Sequence, residues 1–105
     1  MALETGEIEV PTQVAKTLTE LTDEPRPEVA LRLVLKDALE YRLEKVQEGI
    51  SNFRDKYNVA FSTFKKRWLA GEIPDPHSYP VEKDFWEWEG LISRLAVLNR
   101  LKKWL

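Results

Sequence analysis

Apolar residues recur at helical spacing along most of this chain, and the recurrence breaks at proline, glycine or asparagine. The longest stripe reads Leu31, Leu35, Leu39, Leu43, Val46, Ile50, Phe53 and Tyr57. Its steps of four, then of three and four, are those of a helix that buries one seam. The stripe predicts a long amphipathic helix opening near Pro27 or Glu28. Leu33, Val34 and Tyr41 fall off the seam, so the first half of the helix is apolar on more than one side and needs more than one neighbour. The same stripe can be continued through Phe61, Phe64 and Trp68. An unbroken helix to Ala70 would run about 65 Å at 1.5 Å per residue, too long for one compact small domain. A break is therefore expected near Asn58, because asparagine tolerates the left-handed conformation that ends helices. A short helix from about Phe61 to Leu69 should follow, with Gly71 as its stop.

The flanks read as follows. Glu7, Ile8, Glu9 and Val10 alternate acid and apolar, which predicts a short strand or extended element. Pro11 ends it and can open a helix over Thr12 to Thr22, with Val14, Leu18 and Leu21 on one face. Asp23-Glu24-Pro25-Arg26-Pro27 is a turn. Three prolines between Glu72 and Pro80 make an irregular, stiff loop. A last helix is expected from Val81 to about Lys103. Acids Glu82, Asp84 and Glu87 sit near its start and bases Arg100, Lys102 and Lys103 near its end, which suits the helix dipole. Val81, Phe85, Trp88, Ile92 and Leu95 form its main stripe; Trp86, Val97, Leu101 and Trp104 form a second line. Phe61, Phe64 and Trp68 should meet Phe85 and Trp88 across the proline loop as a helical hairpin. The fold class is thus mainly α, in a single helical domain over 1–105. Its parts are an acidic N-terminal element (1–24), a long helix with a break near 58 (25–70), a Pro-rich loop (71–80) and a C-terminal helix (81–105).

Composition narrows the function. A chain of 105 residues with net charge −2 is not, as a whole, a polyanion binder. The charge is uneven: Met1 to Glu24 carry six acids and one lysine, and the remainder fifteen bases and twelve acids. The absence of cysteine excludes disulfides and thiolate chemistry. No apolar run is long enough to span a bilayer, and the first residues lack the basic-then-apolar pattern of a secretory leader. A cytoplasmic protein with no membrane partner is expected. His77, the only histidine, lies in the proline loop near Asp75 and Glu82, too few ligands for a metal site. No nucleophile motif or phosphate-binding loop is present. Neither an enzyme nor a cofactor is expected.

Three surfaces remain as candidates. Arg54, Lys56, Lys65, Lys66 and Arg67 interleave with aromatic residues, a pattern that can bind single-stranded nucleic acid; the aromatics fall at helical spacing, however, so a core stripe with a wet basic back is favoured. The N-terminal pattern is similar to a ribbon-helix-helix repressor, whose paired strands enter DNA. Here the strand would show Glu7 and Glu9 to phosphates, which opposes binding, although a ribbon-helix-helix-like N-terminal dimerisation stays open as architecture. The long seam, together with Leu33, Val34 and Tyr41, exceeds what one short chain covers. A homodimer is expected, with Leu31, Leu35, Leu39, Leu43 and Val46 at its seam. On the last helix, Trp86 lies beside Gly90 and Val97 and is bordered by Glu82 and Glu89. Tryptophan is the residue type most enriched among binding hot spots, and the two acids can pair with bases on a partner protein.

From about Ile8 to Leu91 the chain resembles small prokaryotic proteins encoded beside TumE-like toxins and regarded as their antitoxins. The resemblance is carried by Ile8-Glu-Val-Pro11, a long helix, Lys56-Tyr57-Asn58-Val-Ala-Phe61 with Phe64, Ser78-Tyr79-Pro-Val81-Glu82-Lys-Asp84, and Trp88-Glu89. The chain departs from that pattern at Asn58, where such proteins tend to have glycine, in the basic run Lys65-Lys66-Arg67, and in a last helix that continues past Leu91. The resemblance implies a non-enzymatic protein-protein interaction module that neutralises a toxin encoded nearby by direct binding. A nucleic-acid-binding regulator of ribbon-helix-helix-like type, and a helical oligomer of other role, are the alternatives.

Overall fold

The computed structural model describes residues 9–105, which form four helices: α1 (Thr12–Thr22), α2 (Pro27–Tyr57), α3 (Phe61–Leu69) and α4 (Tyr79–Lys102). The fold is mainly α. Glu9 and Val10 have no regular structure, and Glu7 and Ile8 lie outside the described residues. The expected strand, and with it the ribbon of a ribbon-helix-helix dimer, is therefore not seen among the described residues.

The helix ends follow from local chemistry. Asp23 turns left-handed (φ 56°) and stops α1, while the Glu24 N–H bonds back to Thr19 O. Asn58 does the same for α2 with φ 58°. At the end of α3, Gly71 (φ 73°) donates to Trp68 O and Glu72 donates to Arg67 O. That is the pair of bonds by which a left-handed residue satisfies the last carbonyls of a helix. In α4, Pro80 sits in the first turn, where its missing N–H costs nothing. The helix opens at Tyr79, two residues before the expected Val81. Ser78 takes the extended conformation of a cap, and its carbonyl already accepts from the Glu82 N–H.

Compactness divides the chain into two units, Met1–Asp37 and Ala38–Leu105, and the division falls inside α2. In the second unit α2 and α4 run antiparallel: residues early in this part of α2 meet residues late in α4, and the reverse. At one end Leu39, Leu43, Val46 and Leu98 are buried, with Ile50, Leu91, Leu95 and Leu105 against them. At the other end Phe61, Phe64, Phe85 and Trp88 are buried, with Phe53, Tyr57, Trp68 and Ile92 among their neighbours. Between the two, a Cβ added to Gly49 would lie 2.8 Å from Leu91 Cδ1, so glycine lets α4 come in close at that point.

The aromatic end is centred on Trp88, which is fully buried. Phe53 and Tyr57 stack on it at centroid distances of 5.5 and 5.8 Å, and Phe61 and Phe64 tilt against it at 5.3 and 5.2 Å. Trp68 stacks on Phe85 at 4.6 Å. The helical hairpin expected across the proline loop is this cluster. Fully burying one such side chain stabilises by about 1.5–3 kcal/mol, and aromatic pairs add about 0.5–1.5 kcal/mol beyond area.

The seam of α2 is buried along part of its length and exposed along the rest. Leu39, Leu43 and Val46 are buried inside the chain, with Leu98 of α4 in the same cluster. Leu31 and Leu35, on the same line, stay 40% and 48% exposed. In the first unit Ala30 is fully buried, while α1 contributes no buried residue at all.

Candidate functional site

Two regions of the second unit hold the candidate nucleic-acid and partner-binding residues: the rim of the aromatic cluster and the outward side of α4.

At the rim, Asp84 on the second turn of α4 accepts a hydrogen bond from Tyr57 Oη at 2.6 Å and a second from Lys56 Nζ. The last turn of α2 supplies both donors because Asn58 stops the helix directly after them. Burial, then the hydrogen bond to Asp84, pushes the Tyr57 phenol well above its usual value. Burial by itself would also raise the Asp84 carboxyl. Hydrogen bonds from Lys56 and Tyr57, together with the charges of Lys56 and Lys83, outweigh it and hold the group below the usual carboxylate range. A phenol that keeps its proton and a carboxylate that keeps its charge make a firm tie. Neither is poised to exchange a proton near neutral pH, as acid–base catalysis requires. One turn along α4, Glu89 pairs with Lys65 of α3 at 3.1 Å. Trp88 Nε1 is buried with no hydrogen-bond partner, on a ring that Phe53, Phe61 and Phe64 pack against.

These contacts join the segments that carry the resemblance. Lys56-Tyr57 meets Asp84, Phe61 and Phe64 meet Trp88, and Lys65 meets Glu89. Sequence reasoning did not single out Tyr57 and Asp84 as a pair. Their joint appearance in the resembling segments was the available signal.

The contacts also thin the basic surface. Lys56 and Lys65 are committed to Asp84 and Glu89, and their charges are largely compensated. Arg54, Lys66 and Arg67 are exposed and form no ion pair among the described residues. The aromatics interleaved with them point inward, so no stacking platform accompanies the charge. A shallow depression on α3, lined by Ser62, Thr63, Lys65, Lys66 and Leu69, offers no aromatic face either. His77 Nδ1 lies 3.4 Å from Glu82 Oε2, a long contact, and its ring stands edge-on to Trp68 at 5.8 Å. No three His, Asp or Glu side chains converge as metal ligands among the described residues.

The outward side of α4 is the second region. Trp88, Leu91, Leu95 and Leu98 take the inner side. Helical spacing sets Glu82, Trp86, Glu89 and Val97 on the other. Trp86 is 59% exposed, and its ring is braced edge-on by Phe85 at 5.0 Å. Glu82, Glu89 and Val97 are half-buried. A Cβ at Gly90 would meet nothing within 4 Å, so the space beside Trp86 is open. Leu101 and Trp104 extend the apolar character toward the chain's end, at 40% and 79% exposure. The four partner-binding candidates thus share one face. Glu89 is the exception in charge, because Lys65 already holds it. No described helix is long and apolar enough to cross a membrane.

No protein-family model, no curated protein and no solved structure matches this chain.

Proposed function

We propose that this protein is a non-enzymatic interaction module that acts in the cytoplasm as a homodimer. In this reading it neutralises a TumE-like toxin encoded nearby by docking the outward face of α4 on it. The observation that carries the docking site is Trp86: a large aromatic side chain, 59% exposed, held by Phe85 on a helix whose opposite side is fixed in the core. A braced ring loses little freedom on binding, which is why tryptophan dominates interface energetics. Open space at Gly90 admits a partner's side chain beside the ring. Glu82 supplies a border charge that speeds encounter with a basic surface more than it tightens the complex. The antitoxin role itself rests on the resemblance of the Lys56–Phe61 and Val81–Glu89 segments.

The test is a pull-down and a growth-rescue assay with the protein encoded beside this one. Trp86→Ala should keep helicity and self-association while weakening capture at least tenfold, the scale of a hot-spot loss of about 2 kcal/mol, and growth should no longer be rescued. A variant that still neutralises its neighbour fully would sink the site. Steep loss of binding to generic DNA or RNA with added salt would favour the nucleic-acid reading instead.

A further inference from the structure

The helices of the first unit carry apolar surface that stays exposed among the described residues, and α1 is the sharper case. Its cap, Pro11, makes no side-chain hydrogen bond, and the helix has no acid in its first turn and no base in its last. Four of its eleven residues are threonine. Three of them turn their hydroxyls back onto carbonyls of the preceding turn: Thr17 to Gln13, Thr19 to Lys16 and Thr22 to Leu18. Such back-bonding and β-branching weaken a helix. An isolated helix of this length is marginal even with good helix formers. Burial of its apolar face has to hold α1, yet no residue of it is buried, and Val14 and Leu21 stand 46% and 71% exposed. In the first turns of α2, Leu31, Leu33 and Leu35 are 40%, 39% and 48% exposed.

We infer that a second copy of this chain completes the first unit: two copies bury the α1 face and Leu31 and Leu35 against each other, and α1 is stable only in that dimer. This deepens the self-association part of the reading above and is separate from the Trp86 site. Charge selects the occupant. On the helices themselves three acids, Glu20, Glu28 and Asp37, are matched by three bases, Lys16, Arg32 and Lys36, while Glu9, Asp23, Glu24 and Arg26 lie in the flanking segments outside the helices. A twofold axis sets a surface against itself, so a balanced surface can be self-complementary, whereas the run Lys65-Lys66-Arg67 would repel its own copy. The line of the seam supports the same choice. Leu31 and Leu35 continue the stripe that α4 covers antiparallel from Leu39 onward, so the uncovered length is patterned to take another helix in the same manner.

The full chain supplies its own reporters. All four tryptophans, at 68, 86, 88 and 104, lie in the unit Ala38–Leu105, so their emission follows that unit alone, while amide hydrogen exchange follows α1. The wild-type protein should sediment as a dimer at high micromolar concentration, with α1 amides protected. Leu31→Asp/Leu35→Asp should sediment as a monomer, lose α1 protection at least tenfold, and keep its tryptophan emission and urea midpoint. Leu21→Asp, on α1 itself, should behave alike and decides the matter if the double variant unfolds. A wild-type monomer, a dimer persisting in Leu21→Asp, or α1 still protected in a monomeric variant would each overturn the inference. A wild-type monomer whose α1 gains protection only when the neighbouring protein is added would overturn it too, and would assign the face to that partner. Partner capture lost in Trp86→Ala but kept in Leu21→Asp separates this inference from the docking site.

Discussion

The two halves of the α2 seam share one spacing and meet opposite fates. From Leu39 to Val46 the leucines and valine are 6–9% exposed, because α4 lies along them. Leu31 and Leu35, earlier on the same line, are 40% and 48% exposed. The hairpin of α2, α3 and α4 covers the facing sides of its helices with its own side chains, leaves Leu69, Trp86, Leu101 and Trp104 exposed on its outer surface, and ties its rim with Asp84, Lys56 and Tyr57. The first unit carries apolar faces on two helices and buries only Ala30 among its described residues. The comparison separates two kinds of information in a periodic stripe. Period and residue type state that a face is made for burial; whether the chain or another molecule buries it depends on how far the other elements reach.

If the hairpin is self-sufficient, its largest loss comes from its centre. Trp88→Ala should cost about 3–5 kcal/mol, the range for truncating a buried aromatic, read as a lowered urea midpoint. Trp88→Phe should cost clearly less than the alanine change. It keeps most of the ring contacts and removes an N–H that is buried without a partner, a group that costs about 1–3 kcal/mol while unsatisfied. Equal losses in the two variants would mean that Nε1 is satisfied in solution and that the stacking alone does not define the site.

The rim should respond less. Asp84→Asn keeps an acceptor for Tyr57 but removes the charge facing Lys56, and about 1 kcal/mol is expected, because the half-exposed ammonium is screened by water. Its signature is in pH. The Asp84 carboxyl is held below its ordinary value in the folded state, so its contribution is complete above about 3.9, the unfolded value, and is lost as pH falls through the lowered folded value. Acid titration of the urea midpoint should therefore flatten below that pH in the variant. Tyr57 works in the opposite sense: its phenol is raised, so its contribution holds below about 10 and fades as pH rises further. An unaltered acid limb in Asp84→Asn would show that the tie carries no stability.

The smallest effect is expected at the joint between α2 and α3. Asn58 holds φ 58°, a conformation that glycine adopts without the Cβ penalty. Asn58→Gly relieves that strain and adds chain entropy to the unfolded state, so the net change should stay within about 0.5 kcal/mol in either direction. A loss well above that would give the Asn58 side chain a role that its backbone angle does not explain.

Much of this architecture was legible in the sequence, and for local reasons. Asn58, Gly71 and Pro80 mark ends through backbone conformations that each residue type favours or tolerates, and the aromatic stripes gave the hairpin partners through period alone. What escaped was non-local. Asp84 and Tyr57 lie 27 residues apart, and no periodicity links a polar donor on one helix to an acceptor on another. The close approach inside the chain is at Gly49, where Leu91 comes near, whereas Gly90 faces open space. A glycine in the middle of a 31-residue helix was the cue, since that position costs about 1 kcal/mol relative to alanine unless closeness is gained there. Of the Glu7–Val10 alternation only Glu9 and Val10 lie among the described residues, and they have no regular structure. For the candidate docking face, spacing alone was enough to group Trp86 with Glu82, Glu89 and Val97; it could not tell that Lys65 already neutralises Glu89.

The boundary between Asp37 and Ala38 contains no glycine, no proline and no interruption of the helix. Fraying of α2 from its Pro27 end travels as a helix–coil front that moves along the helix one residue at a time, each step breaking one backbone bond, on the nanosecond scale of helix elongation. Along the seam the leucines pass from exposed at Leu35 to buried at Leu39, where packing against α4 opposes further fraying. The frayed length is thus a thermodynamic position along a single helix, shifted toward Pro27 by whatever covers Leu31 and Leu35 and toward Leu39 when they are bare.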